Sequence, residues 1–336
     1  MRAIFGLVRL AVVAGLIWSG LWLAGAELAR GAITAWLAER RAEGWLAEAG
    51  PVKVTGYPAR FALRLDALDL ADPDTGLAWA APGLRLASDA WDPLDLRLDW
   101  PAEQMIATPE GRIAFTTTGM GARLALAPGP TLTLRAAEFE VQDGALASTE
   151  GWRARLAEAR LSAVRIGDRA DRLALSFTAA EAEPSAPLLA LLDPRGRLPR
   201  MIDRLEIAAD VDFDAPWDIH AIDRRRPQPT RIDLSRLAAR WGQLELLAAG
   251  KLEIDAEGRA TGAVQLRAVN WREMLALGQD TGLIPPDLAS TLETALSLLA
   301  AATGRPETLE VPLYFTGGEM SLGPVPLGPA PRFRLR

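Results

Sequence analysis

The chain has 336 residues, of which 49% are hydrophobic and 24% are charged, a normal balance for a globular protein. It has no cysteine, which excludes disulfides, a thiol nucleophile, Fe–S clusters and cysteine-ligated zinc. A single histidine excludes a multi-histidine metal site. The net charge of −6 argues against binding to nucleic acid, which needs a basic surface. No cofactor is expected from this composition.

The N-terminal segment is predicted to cross a membrane. Residues 3–26 are apolar or small except for Arg9, and a helix of this length spans about 36 Å, enough for a hydrocarbon core of about 30 Å. We expect residues 1–26 to be a single-pass anchor in the inner membrane, with the N-terminus cytoplasmic and the body periplasmic, because Arg2 and Arg9 precede the span. A cleaved signal peptide is the alternative, since Ala24-Gly25-Ala26 resembles a cleavage site.

Residues 27–50 are predicted to form an amphipathic stalk helix that continues from the anchor. Ala29, Ile33 and Leu37 recur on one face of this helix. Trp18, Trp22 and Trp36 are the expected membrane-anchoring aromatic residues. Trp36 has a second interpretation, in which it packs on the domain that follows.

From residue 51 the hydrophobic period changes from 3.6 to 2, which is typical of strands with one buried face. We therefore expect a mainly β fold: a large, curved antiparallel meander sheet with a few packed helices. The predicted divisions are a first β unit at 51–180, a helical linker at 181–204 and a second β unit at 205–336 that contains two helices. Short turns separate the strands and leave no room for parallel crossovers.

Several segments resemble an alphaproteobacterial family of single-pass envelope proteins classed as a domain of unknown function. The matching segments are Gly56-Tyr57-Pro58-Ala59-Arg60-Phe61, Asp72-Pro73-Asp74-Thr75-Gly76, Trp79-Ala80-Ala81-Pro82, Trp241-Gly242-Gln243-Leu244, Asn270-Trp271 and Leu322-Gly323-Pro324-Val325-Pro326-Leu327-Gly328. The second half also resembles the C-terminal units of AsmA-like envelope proteins. That resemblance implies a curved sheet with an apolar concave face associated with lipid handling, and it supplies no catalytic residue.

Catalytic and metal-binding patterns are weak in this sequence. His220 has no Gly-x-Ser-x-Gly nucleophile motif to serve, so a loop position is expected for it. Asp210, Asp212 and Asp214 have the spacing of a calcium loop, but the required Gly and Glu are replaced by Ala215 and Ala221. We predict no catalytic residue, no metal site and no enzymatic activity, although paired carboxylates leave an enzymatic interpretation open.

The predicted ligand site is an apolar groove on the sheet, built from tryptophans and from a leucine stripe with helical spacing. Its residues are Trp79, Trp100, Trp152, Trp241, Leu288, Leu292, Leu296 and Leu299. Ordinary sheet packing is the alternative for the tryptophans, and filling of the core is the alternative for the leucines. An arginine set predicted to contact lipid headgroups, with a solvated loop as its alternative, consists of Arg224, Arg225, Arg226 and Arg231.

The function expected from these features is binding or handling of a phospholipid or another amphipathic ligand at the periplasmic side of the inner membrane. The alternative is a non-enzymatic scaffold that binds another envelope protein. A sheet face filled by helix side chains would favour the scaffold, whereas an open apolar cleft would favour the lipid.

Overall fold

The structure is a computed structural model that describes residues 2–221, 226–282, 284, 286–302, 304–323 and 325–335, with the side chains of 2–4, 286–288 and 302 outside it. The described chain is mainly antiparallel β, as predicted. It divides into two compact units: unit 1 holds residues 1–125 and 148–150, and unit 2 holds residues 126–147 and 151–336.

Helix α1 runs from Arg2–Ala42 without interruption and contains the predicted span. It is long and apolar enough to cross a membrane, and almost none of its most apolar stretch is buried against the rest of the protein. The predicted stalk helix to residue 50 is too long. Gly44 has a φ of +92°, the left-handed conformation that commonly ends a helix, and β1 (Leu46–Glu48) follows it.

The strands of unit 1 are built around one long hairpin. The remaining elements of this unit are β2 (Lys53–Thr55), β3 (Arg60–Asp72), β4 (Leu77–Asp89), β5 (Asp92–Asp99), β6 (Glu103–Thr108), β7 (Gly111–Thr116) and β8 (Gly119–Leu126). Strand β3 pairs with β1 and β2 along one edge and with β4 along the other. The two ends of β4 pair with different strands, β6 and β5, which pair in turn with β7 and β8.

Helix α1 packs on β3 beyond its apolar segment. Ala29 and Ile33 contact the buried cluster of Leu63, Leu65 and Leu68. This is the helix face that the sequence predicted to be apolar. Burial of these side chains attaches α1 to the first hairpin.

Unit 2 contains an antiparallel meander in which each described strand pairs with the next one along the chain. Its strands are β9 (Leu134–Ser148), β10 (Arg153–Arg165), β11 (Arg172–Glu183), β12 (Ile202–Phe213), β13 (Pro229–Trp241), β14 (Leu244–Ile254), β15 (Ala260–Val269), β16 (Thr308–Thr316), β17 (Glu319–Leu322) and β18 (Val325–Pro329). Helix α2 (Ala186–Leu192) connects β11 to β12, and α3 (Trp271–Asp280) and α4 (Pro286–Ala302) connect β15 to β16.

The region predicted as a helical linker at 181–204 therefore contains one short helix between two paired strands. Its first residues belong to β11, which ends at Glu183, and its last belong to β12, which begins at Ile202. Strands β11 and β12 pair along most of their length, so the meander continues across this region. The unit boundary lies at residues 125 and 126, rather than in the 181–204 region.

Close approach of two strands requires glycine at position 250. A Cβ atom there would lie 2.2 Å from the Ala263 carbonyl oxygen and 2.6 Å from the Val264 Cα atom. Backbone atoms cannot move away as a flexible side chain can. Gly250 therefore permits the β14–β15 pairing.

We predict that Gly250→Ala lowers the free energy of unfolding by about 1–3 kcal/mol or more, because the methyl group overpacks the β14–β15 contact. The measurement is urea unfolding of the full chain in detergent, followed by circular dichroism. The control is Ala249→Ser at the exposed neighbouring position, which should change stability by less than about 0.5 kcal/mol. Equal stability of the two variants would show that β14 and β15 accommodate the added methyl group, and would contradict the requirement for glycine at position 250.

Candidate functional site

The meander of unit 2 places one apolar residue from each of eight strands in a single row. This row, called the central row, consists of Phe139, Leu161, Phe177, Ile207, Leu237, Ala248, Leu266 and Val311. Each of these residues is directly paired with the next one, so all of them face the same side of the sheet. The side of the sheet that carries the central row is called the apolar face.

Helices α3 and α4 cover the β14–β16 part of the apolar face. Trp271 and Leu275 of α3 form one buried cluster with the sheet residues Ala268, Leu309 and Val311. Leu292 and Leu296 of α4 complete this cluster and are 1% and 3% exposed. This part of the face is a packed hydrophobic core.

The central row is less buried along β9–β12, although the same face carries a buried cluster of Leu173, Ala209 and Val211 toward one end of β11 and β12. Leu161 in the central row is 50% exposed, although a leucine on an inner face is usually buried. Phe139, Phe177 and Ile207 beside it are half-buried. This stretch, together with the half-buried Leu237 of β13, is called the open row, and it is the candidate site of unit 2.

The opposite side of the same sheet is polar and carries ion pairs between strands. The Glu206 carboxylate lies between the guanidinium groups of Arg236, on β13, and Arg204. The hydrogen bond from Arg236, helped by Arg204, holds the pKa of Glu206 below its ordinary value. On β14, Lys251 pairs with Asp233 at 3.0 Å. These contacts suit a solvated face and leave the other face for apolar contacts.

The four predicted groove tryptophans are divided between the two units. Trp79 and Trp100 belong to unit 1, and Trp152 and Trp241 belong to unit 2. Trp79 donates its indole N–H to Gln104 Oε1 at 2.9 Å, and Trp241 donates to the Pro199 carbonyl oxygen at 2.7 Å. Each of these two indole N–H groups therefore has a hydrogen-bond acceptor in its own unit, which is typical of tryptophans that pack within a fold.

The predicted leucine stripe separates into core and surface positions. Leu292 and Leu296 fill the core under α4, which was the alternative to a lid over a groove. Leu299 is 39% exposed, and the side chain of Leu288 lies outside the described residues.

Of the predicted headgroup arginines, the structure places Arg231 on a strand of the sheet. Arg224 and Arg225 lie outside the described residues, and Arg226 is exposed. Arg231 pairs directly with Glu253 of β14, with its Nε atom 3.8 Å from the carboxylate. The register places this pair on the polar side of the sheet.

The three aspartates with calcium-loop spacing contact other protein groups. Asp210 and Asp212 form ion pairs with Arg172, and Asp214 accepts a hydrogen bond from the backbone N–H of Gln228. Among the described residues, no group of three or more His, Cys, Asp and Glu side chains could hold a metal ion. His220 lies on the loop after β12, as expected.

Unit 1 has an open recess of about 450 Å³ that the sequence did not indicate. Apolar lining comes from Pro82, Met105 and Phe115, and polar lining comes from Asp69 and Glu103. The recess lies beside the β4–β6 pairing, which joins segments distant in sequence. No local pattern in the sequence could have placed these residues together.

The open row is a second feature that the predicted groove residues do not include, although the alternation of apolar residues around Phe139 and Phe177 predicts that both face inward on their strands. Which inward residues remain uncovered depends on where α3 and α4 pack, and hydrophobic periodicity does not contain that information.

We predict that Leu292→Ala lowers the free energy of unfolding by about 2–5 kcal/mol, because it opens a cavity in the core under α4. Leu299→Ala on the same helix is the matched control and should change stability by less than about 0.5 kcal/mol. Urea unfolding of the full chain in detergent measures both values. Similar small effects of the two variants would contradict a core role for Leu292.

No curated protein and no solved structure matches the chain. A family model described as an uncharacterized protein conserved in bacteria, DUF2125, matches residues 22–331. This match takes in both units and the part of α1 that packs on β3. The chain therefore belongs to the DUF2125 family of bacterial proteins.

Proposed function

We propose that this protein is anchored in the inner membrane and holds the acyl part of a phospholipid or another amphipathic ligand on the open row of unit 2. The observation that carries the proposal is the exposure of Leu161, at 50%, within a row of directly paired apolar residues. Exposed apolar surface of this kind gains free energy when it is covered.

The dimensions of the open row suit a hydrocarbon chain. Neighbouring strands lie about 4.8 Å apart, so the five residues from Phe139 to Leu237 extend over about 19 Å. One leaflet of a bilayer has a hydrocarbon depth of about 15 Å, half of the core thickness. A lipid chain laid across the strands would contact each of these side chains, and each buried methylene would contribute about 0.8 kcal/mol before ordering costs.

This binding needs no covalent step, and we propose a non-enzymatic role. The carboxylates of Asp210 and Asp212 on the polar side pair with Arg172, and Glu206 pairs with Arg204 and Arg236. The hydrogen bond from Arg236 lowers the pKa of Glu206, which is the opposite of the raised pKa that a general acid needs.

The contacts of α1 support an uncleaved anchor. Trp18 and Trp22, which precede the A-x-A-like segment at 24–26, both donate indole hydrogen bonds to the backbone of unit 1. Cleavage after Ala26 would remove these contacts. A cytoplasmic N-terminus and a periplasmic body remain part of the proposal, supported by Arg2 and Arg9. The alphaproteobacterial origin and the AsmA-like lipid handling stay predictions from the resemblance.

We predict that Leu161→Asp abolishes co-purification of lipid with the protein, because a carboxylate in the middle of the open row opposes burial of a hydrocarbon chain. Val164→Asp is the matched control. Val164 lies on the same strand, is 42% exposed and faces the polar side. Native mass spectrometry of the full chain, released from detergent after exchange against defined phosphatidylglycerol, measures bound lipid.

Three outcomes separate the interpretations of this experiment. Lipid bound to wild type and to Val164→Asp, but lost from Leu161→Asp, supports the proposal. Lipid retained by Leu161→Asp, or lost equally from both variants, contradicts the open row as the site. Circular dichroism of all three proteins shows whether a loss of lipid reflects a loss of fold.

A scaffold role is the second candidate, and helix α2 favours it. None of its side chains is buried, and Leu188 and Leu191 are 47% and 71% exposed. A photo-crosslinking residue at Leu191 is predicted to trap a discrete envelope protein in cells, whereas the same residue at the exposed Lys251 should not. Identical crosslinking patterns from the two positions would remove the support for this role.

A further inference from the structure

The apolar segment of α1 contacts residues 56–61 of unit 1 through hydrogen bonds and aromatic contacts. These residues, which comprise the loop before β3 and the first two residues of β3, are called the aromatic loop. Trp18 donates its indole N–H to the Pro58 carbonyl oxygen at 3.0 Å. Trp22 donates to the Arg60 carbonyl oxygen at 2.9 Å and stacks on Phe61 with ring centroids 5.5 Å apart.

Further contacts fix the tyrosine of the loop on the same helix. The Ser19 hydroxyl lies 2.7 Å from the Tyr57 hydroxyl, and the Trp22 and Tyr57 rings meet edge to face at 5.5 Å. Gly25 lies against Phe61, where a Cβ atom would come within 2.9 Å of the ring. The loop therefore follows α1 from residue 18 to residue 25.

These contacts occur within the apolar part of α1. The apolar segment at 3–26 contains Arg9 and ends before Glu27, and a hydrocarbon core of about 30 Å takes about 20 residues of it, such as 3–22. Trp22 is then at the outer boundary of the core, and Trp18 lies about 6 Å beneath that boundary. If α1 crosses a bilayer in this way, the partner of Trp22 lies at the interfacial layer and the partner of Trp18 about one helical turn beneath it.

The backbone of the aromatic loop suits a position with little water. The carbonyl oxygens of Gly56, Pro58, Ala59 and Arg60 all accept hydrogen bonds from protein donors, two of them from the indoles of α1. Backbone groups near the hydrocarbon need such internal partners, because an unsatisfied group there costs several kcal/mol.

The exposed side chains around the loop are those that membrane interfaces favour. Tyr57 is 54% exposed and Trp18 is 36% exposed. The backbone N–H of Ala90 donates to the Ala59 carbonyl oxygen at 2.9 Å, which brings the β4–β5 turn against the loop. Trp91 in that turn is 68% exposed. Tyrosine and tryptophan with one apolar and one polar end concentrate at headgroup level.

An exposed arginine, Arg60, lies next to these aromatic residues and is also of a type that suits a membrane interface. Arg60 is exposed, and its Nε atom lies 3.5 Å from Asp89. A long side chain with an apolar stem and a charged end can extend from the interface to the headgroups.

We propose that the aromatic loop and the β4–β5 turn are seated in the outer interfacial layer of the bilayer that α1 crosses. Unit 1 then has two attachments to one membrane, the helix and this loop, and cannot swing freely about α1. The inference rests on the membrane span of the proposed function and is independent of the ligand on the open row.

Because the chain has no cysteine, single-cysteine variants report local environment without background labelling. Ala59→Cys places an NBD fluorophore on the aromatic loop, at an exposed side chain. Asp74→Cys labels the β3–β4 turn at the other end of the hairpin, about 40 Å away along a 13-residue strand. Val13→Cys labels the middle of the apolar run.

The full-length labelled chains are reconstituted in vesicles of phosphatidylcholine and phosphatidylglycerol. Two quenchers are then applied in turn, soluble iodide and nitroxide carried on lipid. We expect the Ala59→Cys label to be quenched severalfold more by lipid nitroxide, and severalfold less by iodide, than the Asp74→Cys label. The Val13→Cys label should be quenched by nitroxide placed deep in the acyl region.

Each alternative outcome has a separate meaning. Equal iodide quenching at positions 59 and 74, with position 13 protected by lipid, overturns the seated loop and leaves the membrane span standing. Protection of position 59 from iodide without quenching by lipid nitroxide indicates a protein cover and also overturns the proposal. Iodide access at position 13 would show that α1 does not cross the bilayer, and both the seated loop and the membrane anchor of the proposed function would then fail.

Discussion

Each apolar side chain between the two ends of the central row is held on its side of the sheet by pairing with the strand before it and the strand after it. Phe177, for example, pairs with Leu161 and with Ile207. A register slip of one residue would move a strand's apolar set to the polar side and expose it to water. Cross-strand pairs such as Lys251 and Asp233 would move inward at the same time. The same register therefore creates both the core of unit 2 and its candidate ligand surface.

Coverage by helices divides that one face into two parts with different roles. Under α4, Leu292 is 1% exposed, and its burial stabilises the fold. At Leu161 the same face keeps a leucine half in solvent, which costs free energy unless something covers it. The face is thus a packed core at β14–β16 and keeps exposed apolar surface at the open row.

Unit 1 depends on a different kind of contact, in which side chains of the N-terminal helix donate hydrogen bonds to backbone carbonyl oxygens of the aromatic loop. Trp18 and Trp22 combine a large apolar ring with a single N–H donor, and each uses that donor on a carbonyl oxygen of the aromatic loop. The same two residues suit both a protein contact and a membrane interface. Attachment of the helix to the loop and position of the loop at the bilayer are therefore physically compatible.

The sequence by itself determined the elements that local pattern controls: the apolar span, the period-2 strands and the apolar stripes of α1 and α4. It did not place β1 after Gly44 or the continuous pairing of β11 and β12, because these strands form by pairing with residues distant in sequence. It also could not separate Leu292 in the core from Leu299 at the surface, or show that Trp79 and Trp241 lie in different units. Only the tertiary structure decided which inward residues are covered, since hydrophobic period defines a face but not what packs against it.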